Sequence, residues 1–260
     1  MKKHILALAV LLLGLASVVG CGGSGGGDDS SSASLPCSTL KIAGGEKCTN
    51  PPSAVVAVVF DSGYCSGTFI TKRQVLTAAH CFESRPASVR VESSYFSYTA
   101  TAVTVHPQFN PASDSDPYDI AVVTIGSDAP VSPVPLMVSS PVTTNDLVVI
   151  YGYGIDENDN TFLTRLAQGD VALKATTLKV VSVSDFAIES ISDGSGDTCQ
   201  GDSGGALLLD GNDGSPGVVA TVRAGPSACR VSGGPSDNTN AQTSSISAFI
   251  QGAAPGVRLN

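Results

Sequence analysis

The sequence predicts an all-β protein built from two β units of similar length and closed by a short helix. Three observations carry that prediction. Charged residues make up only 14% of the chain, while glycine is abundant at 28 of 260 residues. Val, Thr and Ser recur in short runs, a composition that suits pleated, half-buried strands. Gly, Pro, Asn and Asp separate those runs and supply the turn chemistry between strands. A chain of this length can bury a core that is stable without metals.

In chain order, Lys2 and Lys3 precede an apolar run from Ile5 to Val19. This is the layout of a secretory signal over residues 1–20, and it is short for a membrane span. The run ends Val18-Val19-Gly20-Cys21, which resembles a bacterial lipobox, where cleavage precedes a cysteine that is then lipidated. Residues 22–36, GGSGGGDDSSSASLP, have no periodicity and little to bury, so residues 21–41 are expected to form a flexible spacer and propeptide. Strand-like runs follow at 54–60 (AVVAVVF), 65–70 (CSGTFI), 88–91 (SVRV), 99–105 (TATAVTV) and 119–125 (DIAVVTI). A proline-rich connector spans Pro130 to Pro141, placing the first unit at about 42–135 and the second at about 136–260. The second series is LVVIYGYG, GDVALKA, TLKVVSVS, ALLLD and GVVATVR. Helical spacing appears only in SSISAFIQ, where Ile246, Phe249 and Ile250 share a face and Gly252 is expected to stop the helix.

The net charge of −9, with no Lys/Arg cluster, argues against nucleic acid or an anionic membrane surface as partner. The seven cysteines are Cys21, Cys37, Cys48, Cys65, Cys81, Cys199 and Cys229. Lipid on Cys21 would leave an even set, enough for three disulfides in an exported protein.

The polar residues that stand out are few. Beyond the signal the chain has two histidines, His80 in LTAAHC and His106 in HPQFN. Asp119 directly precedes an apolar run, and Ser203 lies in CQGDSGG at 199–205. A serine hydroxyl becomes a nucleophile when an imidazole takes its proton, and a buried carboxylate fixes the tautomer of that imidazole. Glycines around the serine allow close backbone approach and leave amide N–H groups free to face an oxyanion. Asp114 and Asp116 are alternatives to Asp119, but their setting, SDSDPY, has the character of an exposed loop. His106 is expected to be structural or solvent-facing.

TAAHC, DIAVV and CQGDSGG, in that order, resemble the signature blocks of the trypsin/chymotrypsin-like serine peptidases, and the resemblance runs from about Ile42 to the end. It implies two six-stranded antiparallel β-barrels and a peptidase domain over 42–260. It also implies His80 as base then acid, Asp119 as its orienter, Ser203 as nucleophile, and the Gly201 and Ser203 amides as oxyanion hole. By the same resemblance Cys65 pairs with Cys81 and Cys199 with Cys229. Lys41-Ile42-Ala43-Gly44-Gly45 is similar to the family's activation site: cleavage after Lys41 by another protease would free Ile42 to pair with Asp202. Cys37 and Cys48 straddle that cut and are expected to form the third disulfide, keeping the spacer attached.

Asp197 stands where the resemblance puts the base of the specificity pocket, which implies cleavage after Lys or Arg. Two departures bear on the pocket walls. Ala220, Thr221 and Val222 stand near the family's Ser-Trp-Gly, and the chain has no tryptophan. Ser236 stands at a wall position the family fills with glycine, which would narrow the pocket. The expected function is therefore an exported serine endopeptidase, either a lipid-anchored protein of the cell envelope (outer membrane or cell surface) or a secreted one, acting on protein or peptide substrates through an acyl-enzyme and needing no metal or organic cofactor. The competing expectation is a catalytically silent adhesin on the same fold. The acidic stretch DENDN at 156–160 could hold calcium, although a solvated turn suits its spacing better.

Overall fold

In a computed structural model, residues 54–61, 63–113, 116–154, 173–192, 196–226 and 234–260 are described. The expectations for Cys21, Cys37, Lys41, Ile42, Cys48, Asp114, DENDN and Cys229 fall outside these residues. The all-β expectation is met by two closed six-stranded barrels. The first comprises β1 (Val55–Phe60), β2 (Gly63–Phe69), β3 (Gln74–Thr77), β4 (Val89–Glu92), β5 (Ser97–Val105) and β6 (Ala121–Ile125), closing in the order β1-β2-β3-β6-β5-β4. The second comprises β7 (Leu147–Gly152), β8 (Lys174–Val183), β9 (Ala187–Ser192), β10 (Ala206–Asp210), β11 (Pro216–Ala224) and β12 (Pro235–Asn240), closing in the order β10-β11-β12-β9-β8-β7. Neighbouring strands are antiparallel throughout.

The continuous apolar run of β1 has a physical reason. Val56 and Val58 point into the first barrel, with Phe69, Val75, Val91 and Val123. Val55, Ala57 and Val59 point the other way, into a cluster shared with Tyr151, Tyr153, Leu208 and Val218 of the second barrel. A strand covered on both faces reads as unbroken hydrophobicity rather than alternation. The second barrel has its own interior of Val148, Ile150, Leu178, Val180, Ile188 and Val219.

Three strands had no matching run in the sequence. β3 is short and begins on Gln74. β9 carries Ser190 and Ser192 on its buried face. β12, PSDNTN, has no aliphatic residue at all, yet Ser236, Asn238, Thr239 and Asn240 are buried. Cross-strand hydrogen bonds account for this: Asn238 Nδ2 donates to Ile188 O at 2.8 Å and Ser190 Oγ at 3.1 Å, and Asn240 Nδ2 donates to Ser184 O at 2.8 Å. Buried amide donors paired in this way need no hydrophobic run.

The expected helix is present as α1 (Ser244–Ala253), with Ile246 and Ile250 packed into the inter-barrel cluster. Gly252 does not stop it. The helix runs through Gly252, and the chain leaves it at Ala254. Within the connector, Leu136 bridges to Val218 and to Leu259, tying the C-terminus across the second barrel.

Candidate active site

Two polar arrangements meet where the barrels face one another. On the first barrel, β3 ends at Thr77 and the chain enters a 3-10 turn, His80–Phe82, which presents the His80 ring. A disulfide joins Cys65 of β2 to Cys81, with Cα atoms 6.4 Å apart, and pins that turn to the barrel. Asp119, 2% exposed, lies just before β6. Its Oδ1 accepts the His80 backbone N–H at 2.8 Å, and its Oδ2 lies 2.7 Å from His80 Nδ1. An ionised carboxylate can only accept, so Nδ1 carries a proton and the neutral ring keeps its lone pair at Nε2. Burial alone would push the His80 pKa down, but the hydrogen bond and charge of Asp119 outweigh it and hold it above the ordinary histidine value. The second barrel grips the same segment, since Thr239 Oγ1 donates to Asp119 O at 3.1 Å.

His106 has a different setting. It is buried, stacked on Tyr118 at 4.6 Å between ring centroids and packed against Phe249 at 4.7 Å, and burial lowers its pKa. It is a structural residue, not a solvent-facing one. Asp116 departs from its expected exposure: it is 5% exposed, and its carboxylate takes the N–H groups of Asn110 and Tyr118 at 3.0 and 2.7 Å. An acid that caps loop amides can be buried even inside a polar stretch.

On the second barrel, residues 199–205 form a tight turn, with Asp202 N–H donating to Cys199 O at 3.0 Å and Gly205 N–H to Asp202 O at 2.8 Å. Gly201 has φ +92°, and a Cβ there would lie 2.4 Å from the Tyr64 ring, so only glycine fits. The turn abuts the histidine segment: a Cβ on Gly204 would lie 2.1 Å from Thr77 Oγ1 and 2.6 Å from Ala78 N, two residues before His80. Ser66 stitches the barrels together. Its N–H donates to Ser203 O at 2.8 Å, its Oγ donates to Gly201 O at 2.7 Å, and the same Oγ accepts Tyr153 N–H at 2.9 Å. The N–H groups of Gly201 and Ser203 donate to no protein acceptor among the described residues.

Asp202 is fully buried. Burial raises its pKa to about 6, against the opposing pull of hydrogen bonds from Cys199 N–H at 2.9 Å and Gly154 N–H at 2.8 Å. The space it occupies depends on two glycines, because a Cβ on either Gly152 or Gly154 would come within 2.1 Å of its oxygens.

Asp197, at 1% exposure, lies below this turn. Its Oδ1 accepts Thr198 N–H at 2.8 Å and Ser236 Oγ at 3.3 Å, while Oδ2 has no partner among the described residues. Thr198 Oγ1 and Ser236 Oγ lie 2.6 Å apart. Burial raises the Asp197 pKa. Cys199 is disulfide-bonded.

The sequence reading missed Ser66, the Gly152 and Gly154 pair, and Arg223. The buried guanidinium of Arg223 donates from Nη1 to Asp116 O at 2.8 Å and pairs through Nη2 with Asp237, joining β11 to the segment that leads into Asp119. The GYG triplet at the end of β7 was the one local signal for the glycine pair. The His80 ring also lies near Cys65 and Cys81, with ligand-type atoms within 4.8 Å, but those sulfurs are bonded to each other and offer no thiolate to a metal.

Comparison with known proteins agrees with this geometry. The Trypsin family model matches residues 42–247. The chain is 29% identical over 198 residues to kallikrein 1-related peptidase b22 of Mus musculus, covering 66% of this chain and 76% of that one. It is 26% identical over 217 residues to a trypsin of Saccharopolyspora erythraea, covering 70% and 94%, and 28% identical over 192 residues to trypsin of Sus scrofa, covering 66% and 80%. With the family model spanning most of the chain and the two-barrel fold in place, the chain belongs to the trypsin family and is a serine-type endopeptidase.

Proposed function

We propose that the peptidase works through a triad of His80, Asp119 and Ser203 and cleaves after Lys or Arg. The observation that carries the reading is the pair of contacts from Asp119 to His80, set against a turn whose Gly201 and Ser203 amides have no protein acceptor among the described residues. Ser203 Oγ attacks the scissile carbonyl while His80 Nε2 takes its proton. The carbonyl oxygen becomes an oxyanion, stabilised by the two amides, and losing such a donor costs about 10²–10³ in rate. His80 then gives its proton to the leaving amine, and an acyl-enzyme on Ser203 remains. Water, losing a proton to His80, attacks the ester, and the carboxylic acid leaves as Ser203 regains its proton. Asp119 holds the ring in place and stabilises the imidazolium.

At the pocket base, Ser236 and Thr198 N–H occupy Oδ1 of Asp197, which leaves Oδ2 to accept a Lys or Arg side chain. An apolar guest would leave that oxygen unpaired in a buried site. Ser236, at the pocket wall, makes the pocket narrower than a glycine would. Cleavage after Lys41 supplies Ile42 as a partner for Asp202. The Cys37–Cys48 disulfide keeps the spacer attached after that cut, Cys199–Cys229 staples the pocket wall, and lipid on Cys21 tethers the exported enzyme to a membrane. Disulfides at Cys65–Cys81 and at Cys199 suit an oxidising compartment.

A fluorophosphonate probe tests the core of the reading. The expected result is labelling of the Lys41-cleaved protein that disappears in Ser203→Ala. Labelling that survives in the alanine variant, or is absent from the cleaved wild type, overturns the triad and returns the silent-adhesin reading. A peptide-library profile with no preference for Lys or Arg before the cut overturns the role of Asp197. Mass spectra taken without reductant test the tether, which fails if the spacer peptide is lost.

A further inference from the structure

Gly154 is bracketed by two charges. Its N–H donates to Asp202 Oδ1 at 2.8 Å, and its carbonyl accepts from Lys174 Nζ at 3.0 Å. Lys174 opens β8 and pairs in register with Gly152, so the ladder itself fixes where the ammonium can reach. Around Asp202, the end of β7 contributes Gly152, the residues after it contribute Gly154, and β2 contributes the uncharged Ser66. The charged groups acting on it are Lys174, whose field favours the carboxylate, and Asp197, whose field opposes it. Among the described residues, the one positive charge acting on Asp202 thus sits one peptide group away from the carboxylate that shapes the oxyanion turn. A peptide dipole lying between an ammonium on its oxygen and a carboxylate on its N–H is polarised by both, which strengthens the two bonds together.

We propose that Lys174 is a positioning residue for the oxyanion turn: its ammonium, seated on the Gly154 carbonyl, supplies the positive charge that holds the Asp202 carboxylate on the Gly154 and Cys199 amides, keeping the Gly201 and Ser203 amides turned outward. The inference rests on the peptidase reading above. It also goes beyond it, because this charge belongs to the uncut chain. Before cleavage Lys174 supplies it without Ile42, so the intact protein has basal activity. After cleavage the Ile42 amino group adds a second charge and dependence on Lys174 falls.

The test uses the full chain carrying Lys41→Gln, its mass confirming that it stays uncut, alongside the Lys41-cleaved protein. The rate of phosphonylation of Ser203 by a fluorophosphonate probe is followed from about pH 5 to about pH 9, spanning the titration of His80. In the uncut chain, Lys174→Gln is expected to slow labelling about tenfold at neutral pH, while Lys174→Arg keeps most of the rate. Removing the cation raises the Asp202 pKa further from about 6, so the acid limb moves to higher pH and steepens as a second group joins His80. In the cleaved protein the loss on Lys174→Gln is expected to be smaller. Equal rates and identical acid limbs for Lys174 and Lys174→Gln overturn the inference alone. So does equal impairment by Gln and Arg, which would mark a packing role. Absence of Ser203-dependent labelling in the cleaved wild type overturns the peptidase reading and this inference with it.

Discussion

The two halves of the site are held by different physics. On the first barrel, His80 and Asp119 touch directly, through two hydrogen bonds of 2.7 and 2.8 Å across 39 residues of sequence. On the second, the Ser203 turn is shaped by a carboxylate that faces away from solvent, and Asp202 keeps its place because Gly152 and Gly154 leave it room. One half depends on what its side chains contact, the other on what its neighbours lack. Damage to the first should therefore appear as lost chemistry in a stable protein. Damage to the second should appear as lost chemistry and lost stability together.

The largest expected effect is on the contact side. Asp119→Asn puts an amide where a carboxylate fixes the Nδ1–H tautomer, and about a 10⁴-fold fall in kcat is expected, the size of loss this change causes in a Ser-His-Asp triad. Thermal melting should barely move. A kcat within tenfold of wild type would show that His80 does not depend on Asp119 for its tautomer.

Next comes Gly154→Ala on the clearance side. The new Cβ would stand 2.1 Å from one oxygen of Asp202, so the carboxylate or β7 must shift and the Gly201 and Ser203 amides would lose their aim. A drop of about 10²–10³ in kcat, the scale of a lost oxyanion donor, is expected together with a lower Tm. Loss of kcat with an unchanged Tm would break the contrast between the halves.

The pH profile separates the halves without mutation. On the proposed triad, protonating His80 removes the base, so kcat/KM is expected to fall as pH drops through the His80 pKa. Because Asp119 holds that pKa above 6.5, the midpoint of the acid limb should lie above 6.5. Asp202, which burial raises to about 6 before Ile42 pairs with it, is drawn lower by that ammonium and adds a second proton only at lower pH. A midpoint clearly below 6.5 would mean that desolvation, not Asp119, governs the ring.

The unequal legibility of the sequence follows the same division. TAAHC and CQGDSGG each carry their chemistry within a few residues, so a local pattern suffices. Arg223 and Lys174 act across 107 and 20 residues through backbone carbonyls, and nothing beside them in sequence marks the acceptor. Asp116 was misread because an acid among Ser, Asp and Pro resembles a solvated loop, whereas its buried carboxylate caps two loop amides. β12 escaped because its stabilisation comes from amide side chains bonding across strands, which hydropathy does not register. The apolar strands and the α1 stripe were legible because burial alone decides them.

Arg223→Met tests the join between the halves. Its side chain is 7% exposed, and removing it leaves Asp116 O and the Asp237 carboxylate without their donor. Asp237 is about a third exposed and can recover water, which discounts the loss to about 1–3 kcal/mol. That should appear as a lower Tm with a modest fall in kcat, since Thr239 still holds the Asp119 carbonyl. A kcat loss as deep as that of Asp119→Asn would show that the join, rather than the direct contacts, sets the histidine side.

The smallest effect serves as a control for the clearance argument. Gly252 lies inside α1, is exposed, and a Cβ there would meet nothing within 4 Å. It has no positive φ to protect. Ala at a helical site loses less backbone entropy than Gly, so Gly252→Ala should stabilise the protein by about 0.5–1 kcal/mol, less if the last turn frays. For a domain of this size that is a rise of about 2–4 °C per kcal/mol in Tm, with kcat unchanged. Set beside Gly154→Ala, the same chemical change would then have opposite signs at two sites, and the difference would be the occupancy of the space around each Cα. A destabilising Gly252→Ala would mean that adding a methyl group is costly in this chain wherever it falls, and Gly154 could no longer be credited with making room for Asp202.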